Sequence, residues 1–393
     1  MRVFILACLV AAAAAIAPLH RAQERIPGKY IVTLKPGANM ESASFSLNTV
    51  RARVQKKFKS FNMLAVDMDE EVLEKVSLLC FYCVILTYST FLVHYCPALK
   101  DVLFVEEDGT VRVQQQATWG LDRVDQRNLP LDGVYSPGSA LDGTGVNVYI
   151  IDTGVSPDHV DFGGVGGRCE TSFDAVGGAG GGVDCNGHGT HCAGTTSGST
   201  WGVAKNSMVY GIRVLSCLGS GSTSGVVSGM DWVTDNGIRP CVASMSLGGG
   251  ASSSMDRAVA NMHNAGVVVS VAAGNSNDNA CSYSPARASE AITVGATDSR
   301  DSRASFSNYG ACVDIFAPGV DITSAWIGDP DATNTISGTS MACPHVSGAA
   351  ALILQGVPSM SPADVWSAMS RDATLDVVSN PGVRSPNSFL YVP

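Results

Sequence analysis

The chain has 393 residues, 45% of them apolar, enough to bury one large core and a smaller one. Its 42 glycines exclude a helical bundle and suit an α/β protein with tight turns and close backbone approach to a ligand. Acidic residues outnumber basic ones 35 to 25, a formal charge of -10, which argues against a nucleic-acid surface, since phosphate binding calls for Lys and Arg.

In chain order, residues 1–21 read as a secretory signal. Arg2 supplies the charged start, Val3 to Ile16 is an uncharged apolar run, and Ala15, Ile16 and Ala17 precede a cleavage point expected between residues 17 and 22. The run is short for a membrane anchor, which needs about 20 apolar residues. Export makes disulfides permissible among the 12 cysteines, and two or three are expected. Residues 22–116 hold most of the Lys and Arg clusters. Lys29 to Lys35 alternates as a strand and stops at Pro36-Gly37, and Phe61 to Met68 is a second strand. Asp69, Glu70 and Glu71 open a helix with Val72, Leu73 and Val76 on one side. Val102 to Val105 is a third strand, before a turn at Asp108-Gly109. This alternation predicts a small α/β domain.

Residues 77–99 break the pattern. They form an apolar stretch without Asp, Glu, Lys or Arg, set between Lys75 and Lys100, with a composition foreign to both neighbours. The reading preferred here is an intervening sequence translated into the chain. The alternatives are a tolerated natural loop and a membrane span, the latter weakened by Thr87, Tyr88, Ser89, Thr90 and His94.

Residues 114–117, QQQA, make a polar join, and from Trp119 the composition turns to Gly, Ser and Ala. A processing cut is expected near Gln116-Ala117, leaving 117–393 as the main domain. Val146 to Ile151 is a continuous apolar run that ends in Asp152-Thr153-Gly154, as a buried parallel strand ends in a functional loop. Further strands are expected at Ser207 to Leu215, Val242 to Leu247, Val267 to Ala273 and Ala291 to Val294. Helices are expected at Ser224 to Asp235, Met255 to Ala265 and Pro362 to Ser370. The alternation predicts a mostly parallel sheet covered by helices on both faces. No sequence repeat is visible, and no further C-terminal module is expected.

Four residues could carry chemistry. Ser340 precedes an Ala-rich helix, which Pro344 is expected to enter at its first turn, so it lies near unpaired N–H groups and the positive dipole end. An ordinary helix cap is the other reading. His188 stands among glycines in DCNGHGTHCAGT, where an imidazole pinned by a second group would be a general base. With His191 it also forms H-x-x-H, but no third ligand of the zinc-protease kind is adjacent. Asp152 could orient the imidazole, and the Asn275 amide, after VSVAAG, could complete an oxyanion hole.

The motifs VYIIDTG, NGHGTHCAG and SGTSMACPH resemble the subtilisin family of serine proteases, in particular its proteinase K and aqualysin branch. The resemblance runs from Trp119 to Tyr391, and Lys29 to Val113 resembles the family's inhibitory prosegment. It implies the triad Asp152, His188 and Ser340, with Asn275 and the Ser340 N–H as oxyanion donors. It also implies a substrate-pairing edge at Leu218, Gly219, Ser220, Gly221 and Ser222, and a side-chain pocket at Ser246, Leu247, Gly248, Gly249, Ala272, Ala273 and Gly274. No acidic residue stands among these, so broad cleavage after apolar or aromatic side chains is expected. The resemblance further implies disulfides Cys185–Cys217 and Cys281–Cys312, and a free Cys192 close to His188. Cys241 is left without its family partner, whose position falls near Asn147, and Cys169 and Cys343 read as buried thiols.

Structural calcium is expected, with no cofactor for the chemistry. Asp122, Asp125, Gln126 and Asp132 fall within eleven residues and resemble one site of the family, and the resemblance implies a second at Asp314 with the Ser289 and Ala291 carbonyls. A solvated acidic surface is the other reading. The expected product is a secreted, monomeric endopeptidase acting on polypeptides, without stable membrane attachment or nucleic-acid partners, and held at first by its own prosegment. A non-catalytic binding relative and a maturation protease selective for basic pairs are the rivals.

Overall fold

A computed structural model describes residues 18–21, 25–76, 101–109, 117–138, 141–178 and 180–393. The signal run up to residue 17, the 77–99 stretch and the join at 110–116 lie outside the described residues. The chain forms two compact units that part at residue 113.

The first unit is a five-stranded sheet in the order Leu19–His20, Val102–Gly109, Arg25–Leu34, Met63–Asp67, Arg53–Phe58. Its neighbours are antiparallel, except that Leu19–His20 runs parallel to Val105 and Glu106. Alternate residues Tyr30, Val32 and Leu34, with Leu64 and Val66, bury one face against Leu47 of the Met40–Thr49 helix and Val72 and Val76 of the helix at 70–76. Three features differ from the sequence reading. The third strand continues to Gly109, through the turn expected at Asp108-Gly109, because it pairs along the length of Arg25–Leu34. Arg53–Phe58 forms an extra strand, but its sequence RVQKKF is that of a charged edge and hides the alternation. Leu19–His20, within the stretch assigned above to the signal, form a strand of this sheet, and Arg21 next to it bonds to the sheet. The Val105 N–H donates to the Pro18 carbonyl at 3.0 Å, and Arg21 pairs with Glu107 at 3.0 Å. A two-residue strand is too short to show a period.

The second unit is built on a nine-stranded sheet in the order Thr374–Leu375, Ser388–Phe389, Ile315–Pro318, Ile292–Thr297, Val267–Ala272, Cys241–Met245, Asn147–Asp152, Met208–Arg213, Cys169–Asp174. All neighbours are parallel except the first pair. The central strands are apolar throughout because both faces are covered. Val148 and Ile150 enter the core under the Thr339–Gly356 and His188–Ser197 helices, while Tyr149 and Ile151 enter the opposite core under Thr223–Asn236 and Ser253–Asn264. The expected strands and helices appear within a few residues of their predicted bounds. Cys169–Asp174 and Ile315–Pro318 were not expected, the one a half-buried edge rich in polar residues, the other a four-residue strand ending in proline. Sheet order puts the carboxyl ends of Asn147–Asp152, Cys241–Met245 and Val267–Ala272 side by side, and the chemistry gathers there.

Candidate active site

Asp152 is the last residue of its strand and is fully buried. Its Oδ1 accepts the Thr153 N–H at 2.7 Å and lies 2.8 Å from His188 Nδ1. His188 is the first residue of its helix, after Gly187 at φ 107°. Trp326 packs flat on that turn, so a Cβ on Gly187 would stand 2.4 Å from the indole Cε2. Only glycine fits there on both counts. Burial acts to lower the His188 pKa, but the Asp152 charge and hydrogen bond outweigh it, and the pKa lies above the ordinary imidazole value. A carboxylate that favours the imidazolium is what a general base needs as it takes up a proton.

Asp184 braces the turn before His188. Its Oδ1 accepts from Thr153 Oγ1, Asn186 N and Gly187 N at 2.9, 2.9 and 3.0 Å, and its Oδ2 from Thr190 N and Oγ1 at 2.9 and 2.7 Å. One buried carboxylate thus joins the aspartate loop to the histidine helix. Sequence reasoning missed it, although an Asp two residues before Asn186-Gly187 is a turn signal, its side chain placed to accept the next N–H groups.

Ser340 is the second residue of the Thr339–Gly356 helix, which Gly338 caps. Pro344 is therefore the sixth helical residue and not, as expected, in the first turn. The Ser340 Oγ donates to the Ser246 carbonyl at 3.1 Å, while the Ser340 carbonyl accepts from Ser246 Oγ at 2.8 Å and from Cys192 Sγ at 3.4 Å. The Asp152, His188 and Cys192 side chains offer ligand atoms within 4.8 Å of one another. Burial, and then Asp152, push the Cys192 thiol well above its ordinary pKa, which leaves it a protonated thiol and a poor metal ligand. His191, the other half of H-x-x-H, is buried with Nε2 against the Ile322 carbonyl at 2.9 Å.

Asn275 turns its Oδ1 to Thr339, accepting from N at 2.8 Å and Oγ1 at 2.9 Å. That leaves the NH₂ group on the open side. A Cβ built on Gly338 would lie 3.5 Å from Ser340 N and 3.6 Å from Asn275 Nδ2, so the two donors converge on one small space at the amino end of an 18-residue helix.

Beside His188 runs a cleft of about 420 Å³. It is lined by Gly219, Ser220, Gly221 and Ser222 on one edge and Ser246, Leu247, Gly248 and Gly249 on the other. Leu215, Val226 and Met255 form an apolar floor that the sequence reading did not name, although Val226 and Met255 stand on helices it expected. No acidic residue lines the cleft. Leu218 points outward at 90% exposure, and the buried Ala273 and half-buried Gly274 sit in the turn carrying Asn275 rather than among the cleft-lining residues. Disulfides join Cys185 to Cys217 and Cys281 to Cys312, and Cys169, Cys192, Cys241 and Cys343 are free and buried. Cys241 pairs in strand register with Asn147.

Both calcium candidate sets can be tested for chemical fit. Asp122 accepts from Asp132 N and Gly133 N, Asp125 from Ser136 N, and Gln126 Oε1 from Asp132 N. Burial, with the Asp122 and Asp132 charges, pushes Asp125 up to about 6, and Asp122 is raised as well, chiefly by burial. Asp122 and Asp125, both raised chiefly by burial, form with the neighbouring Asp132 carboxylate an oxygen donor set that fits a hard cation. Asp314, pushed up to about 6 by burial, accepts from Thr293 N, two residues beyond Ala291, so it too fits; Ser289 is exposed.

A model of the subtilase family matches residues 143–387. The extracellular serine proteinase of Thermus sp. (strain Rt41A) is 57% identical over 295 residues, covering 74% of this chain and 71% of that protein. Proteinase R of Parengyodontium album is 42% identical over 348 residues, covering 86% and 82%. The crystal structure of a cold adapted subtilisin-like serine proteinase matches with a TM-score of 0.68 and 52% identity, over 71% of this chain and 99% of that one.

Proposed function

This chain belongs to the subtilase family and is a serine endopeptidase, and from that premise we propose that it cleaves polypeptides through Ser340, His188 and Asp152. The observation that carries the reading is the convergence of Ser340 N and Asn275 Nδ2 on one small space, with the Ser340 carbonyl on Cys192, whose sulfur lies within 4.8 Å of a histidine bonded to a buried aspartate. When substrate binds, the Ser340 hydroxyl turns from the Ser246 carbonyl to His188 Nε2 and gives up its proton as Oγ attacks the peptide carbonyl carbon. The oxyanion that forms takes hydrogen bonds from Ser340 N and Asn275 Nδ2, worth about 3 kcal/mol of barrier for one donor. His188 then protonates the leaving amine, and water attacks the acyl-enzyme by the same route in reverse.

An extended peptide adds to the Gly219–Ser222 and Ser246–Gly249 edges, with apolar side chains favoured over basic ones by the apolar floor and the lack of acids. The chain is secreted, as the name of its Thermus relative says of that protein, and its first unit acts as a transient inhibitor removed by a cut near Gln116-Ala117. Among the described residues no helix is long and apolar enough to cross a membrane. Calcium, held by Asp122, Asp125, Gln126 and Asp132 and by Asp314 with the Ser289 and Ala291 carbonyls, supplies structural charge neutralisation and no catalytic step. The test is Ser340→Ala. It should abolish hydrolysis of a generic protein substrate and labelling by a serine-directed phosphonate, with the Tm unchanged. Activity within about tenfold of the parent would overturn the triad.

A further inference from the structure

We propose that Asn308 is a positioning residue for the oxyanion hole, holding the turn that presents the Asn275 amide; this rests on the reading of Asn275 as an oxyanion donor. Asn308 is fully buried and lies 33 positions further along the chain. Its side chain fills the inside of the turn. Nδ2 donates to the Ala273 carbonyl at 2.8 Å, and Oδ1 accepts from Ser276 N and Asp278 N, both at 3.0 Å. Its own N–H donates to the Gly274 carbonyl at 2.8 Å. Bonds to residues 273, 274, 276 and 278 therefore bracket Asn275 on both sides. Gly274 has φ 103°, and a Cβ there would lie 2.4 Å from Asn308 Nδ2, so the turn is wrapped on this amide as closely as backbone allows.

Two clamps thus act on Asn275. Thr339 holds the far end of its side chain, and Asn308 holds the backbone from which that side chain springs. The chemistry demands an amide of this length. One end must donate to a carbonyl while the other accepts two N–H groups, which neither Asp nor an apolar side chain can do. An oxyanion donor acts only if its distance is set before charge develops, so a small displacement of residue 275 costs rate and not substrate affinity.

The test is a double-mutant cycle on the full chain, with rates normalised to sites titrated by the phosphonate. Asn308→Asp should lower kcat by about ten- to a hundredfold with KM within about twofold. A peptide boronic acid, whose adduct places an oxygen in the hole, should lose affinity in the same proportion. In an Asn275→Ala background the same substitution should cost less than about threefold, because the group it positions is gone. Asn308→Ser, which keeps one donor and one acceptor, runs in parallel and should recover part of the rate. Equal loss in both backgrounds, a loss confined to KM, or the absence of titratable sites in both Asn308 variants would assign the residue to folding alone and overturn the proposal. If Asn275→Ala by itself leaves kcat unchanged, the reading of Asn275 fails instead.

Discussion

At Ser340 the carbonyl and the hydroxyl are bound separately, and a proline four residues on makes this possible. In a regular helix the N–H of residue 344 would bond to the residue 340 carbonyl; Pro344 has none. The freed carbonyl takes Ser246 Oγ and Cys192 Sγ instead, and Ser246 returns its own carbonyl to the Ser340 hydroxyl. A proline inside a helix normally costs about 3 kcal/mol, and here those two bonds replace the one it removes. The residue on the other side of Ser340 matters for what it lacks. Gly338 has φ 165°, extended backbone open to any residue, so its need to be glycine is not conformational. Alanine there would put a methyl carbon 3.5 Å from Ser340 N and 3.6 Å from Asn275 Nδ2, in the space the oxyanion must occupy. Gly338→Ala should therefore cut kcat by about a hundredfold or more while leaving the Tm within a few degrees. Steady-state kinetics beside a melting curve checks this, and a kcat near that of the parent would mean that the two donors do not form the hole.

At the scale of elements, the helix Trp119–Val124 and the loop after it behave as a charged unit under strain. Asp122 is buried and raised in pKa, and Asp125 is pushed up to about 6, with burial the main cause and the neighbouring aspartates adding to it. A carboxyl whose folded pKa exceeds its unfolded value stabilises the fold below the unfolded pKa and loses that contribution as pH rises through the folded one. For Asp125 and Asp314 that window runs from the ordinary carboxylate range near 4 up to about 6. In excess chelator, the Tm of the Ser340→Ala protein should fall as pH climbs through this window. With millimolar calcium the fall should vanish or reverse, since the cation binds the ionised form. Superimposed curves with and without calcium would remove the metal from both sites. These aspartates were visible in the sequence as a cluster, and Asp152, His188, Asn275 and Ser340 were visible because each follows an apolar run or opens a helix. Asp184 and Asn308 were not, since the Thr153 hydroxyl that ties Asp184 to the aspartate loop and the backbone groups at 273–278 that Asn308 binds are brought to them only by the fold. The same holds for the Ile315–Pro318 strand, whose four residues are too few to display a period.

For the whole molecule, the question is whether every part of the chain serves the same fold. Val76, at the end of the helix at 70–76, and Val102, at the start of the Val102–Gly109 strand, are buried in one small cluster with Val32, Leu34, Leu64 and Val105. The chain therefore leaves this core and comes back to it with Ser77 to Leu99 in between. Those 23 residues carry no Asp, Glu, Lys or Arg and include Cys80, Cys83 and Cys96. A core with 13 buried apolar side chains among the described residues is a thin one, and its stability is small against the aggregation that a long apolar segment promotes in a folding intermediate. Three further cysteines would offer wrong partners to Cys185, Cys217, Cys281 and Cys312 during oxidative folding. Deleting Ser77–Leu99 joins Val76 to Lys100-Asp101 and keeps every residue of the buried cluster. The shortened chain should be secreted in several-fold higher yield and mature more completely, with the same kcat per titrated Ser340, because the catalytic unit is unchanged. Yield, N-terminal sequencing around residue 117 and active-site titration of the two chains side by side measure this. Equal or higher yield from the longer chain, with the segment found intact by mass spectrometry in the released prosegment, would show that the segment belongs to the natural protein.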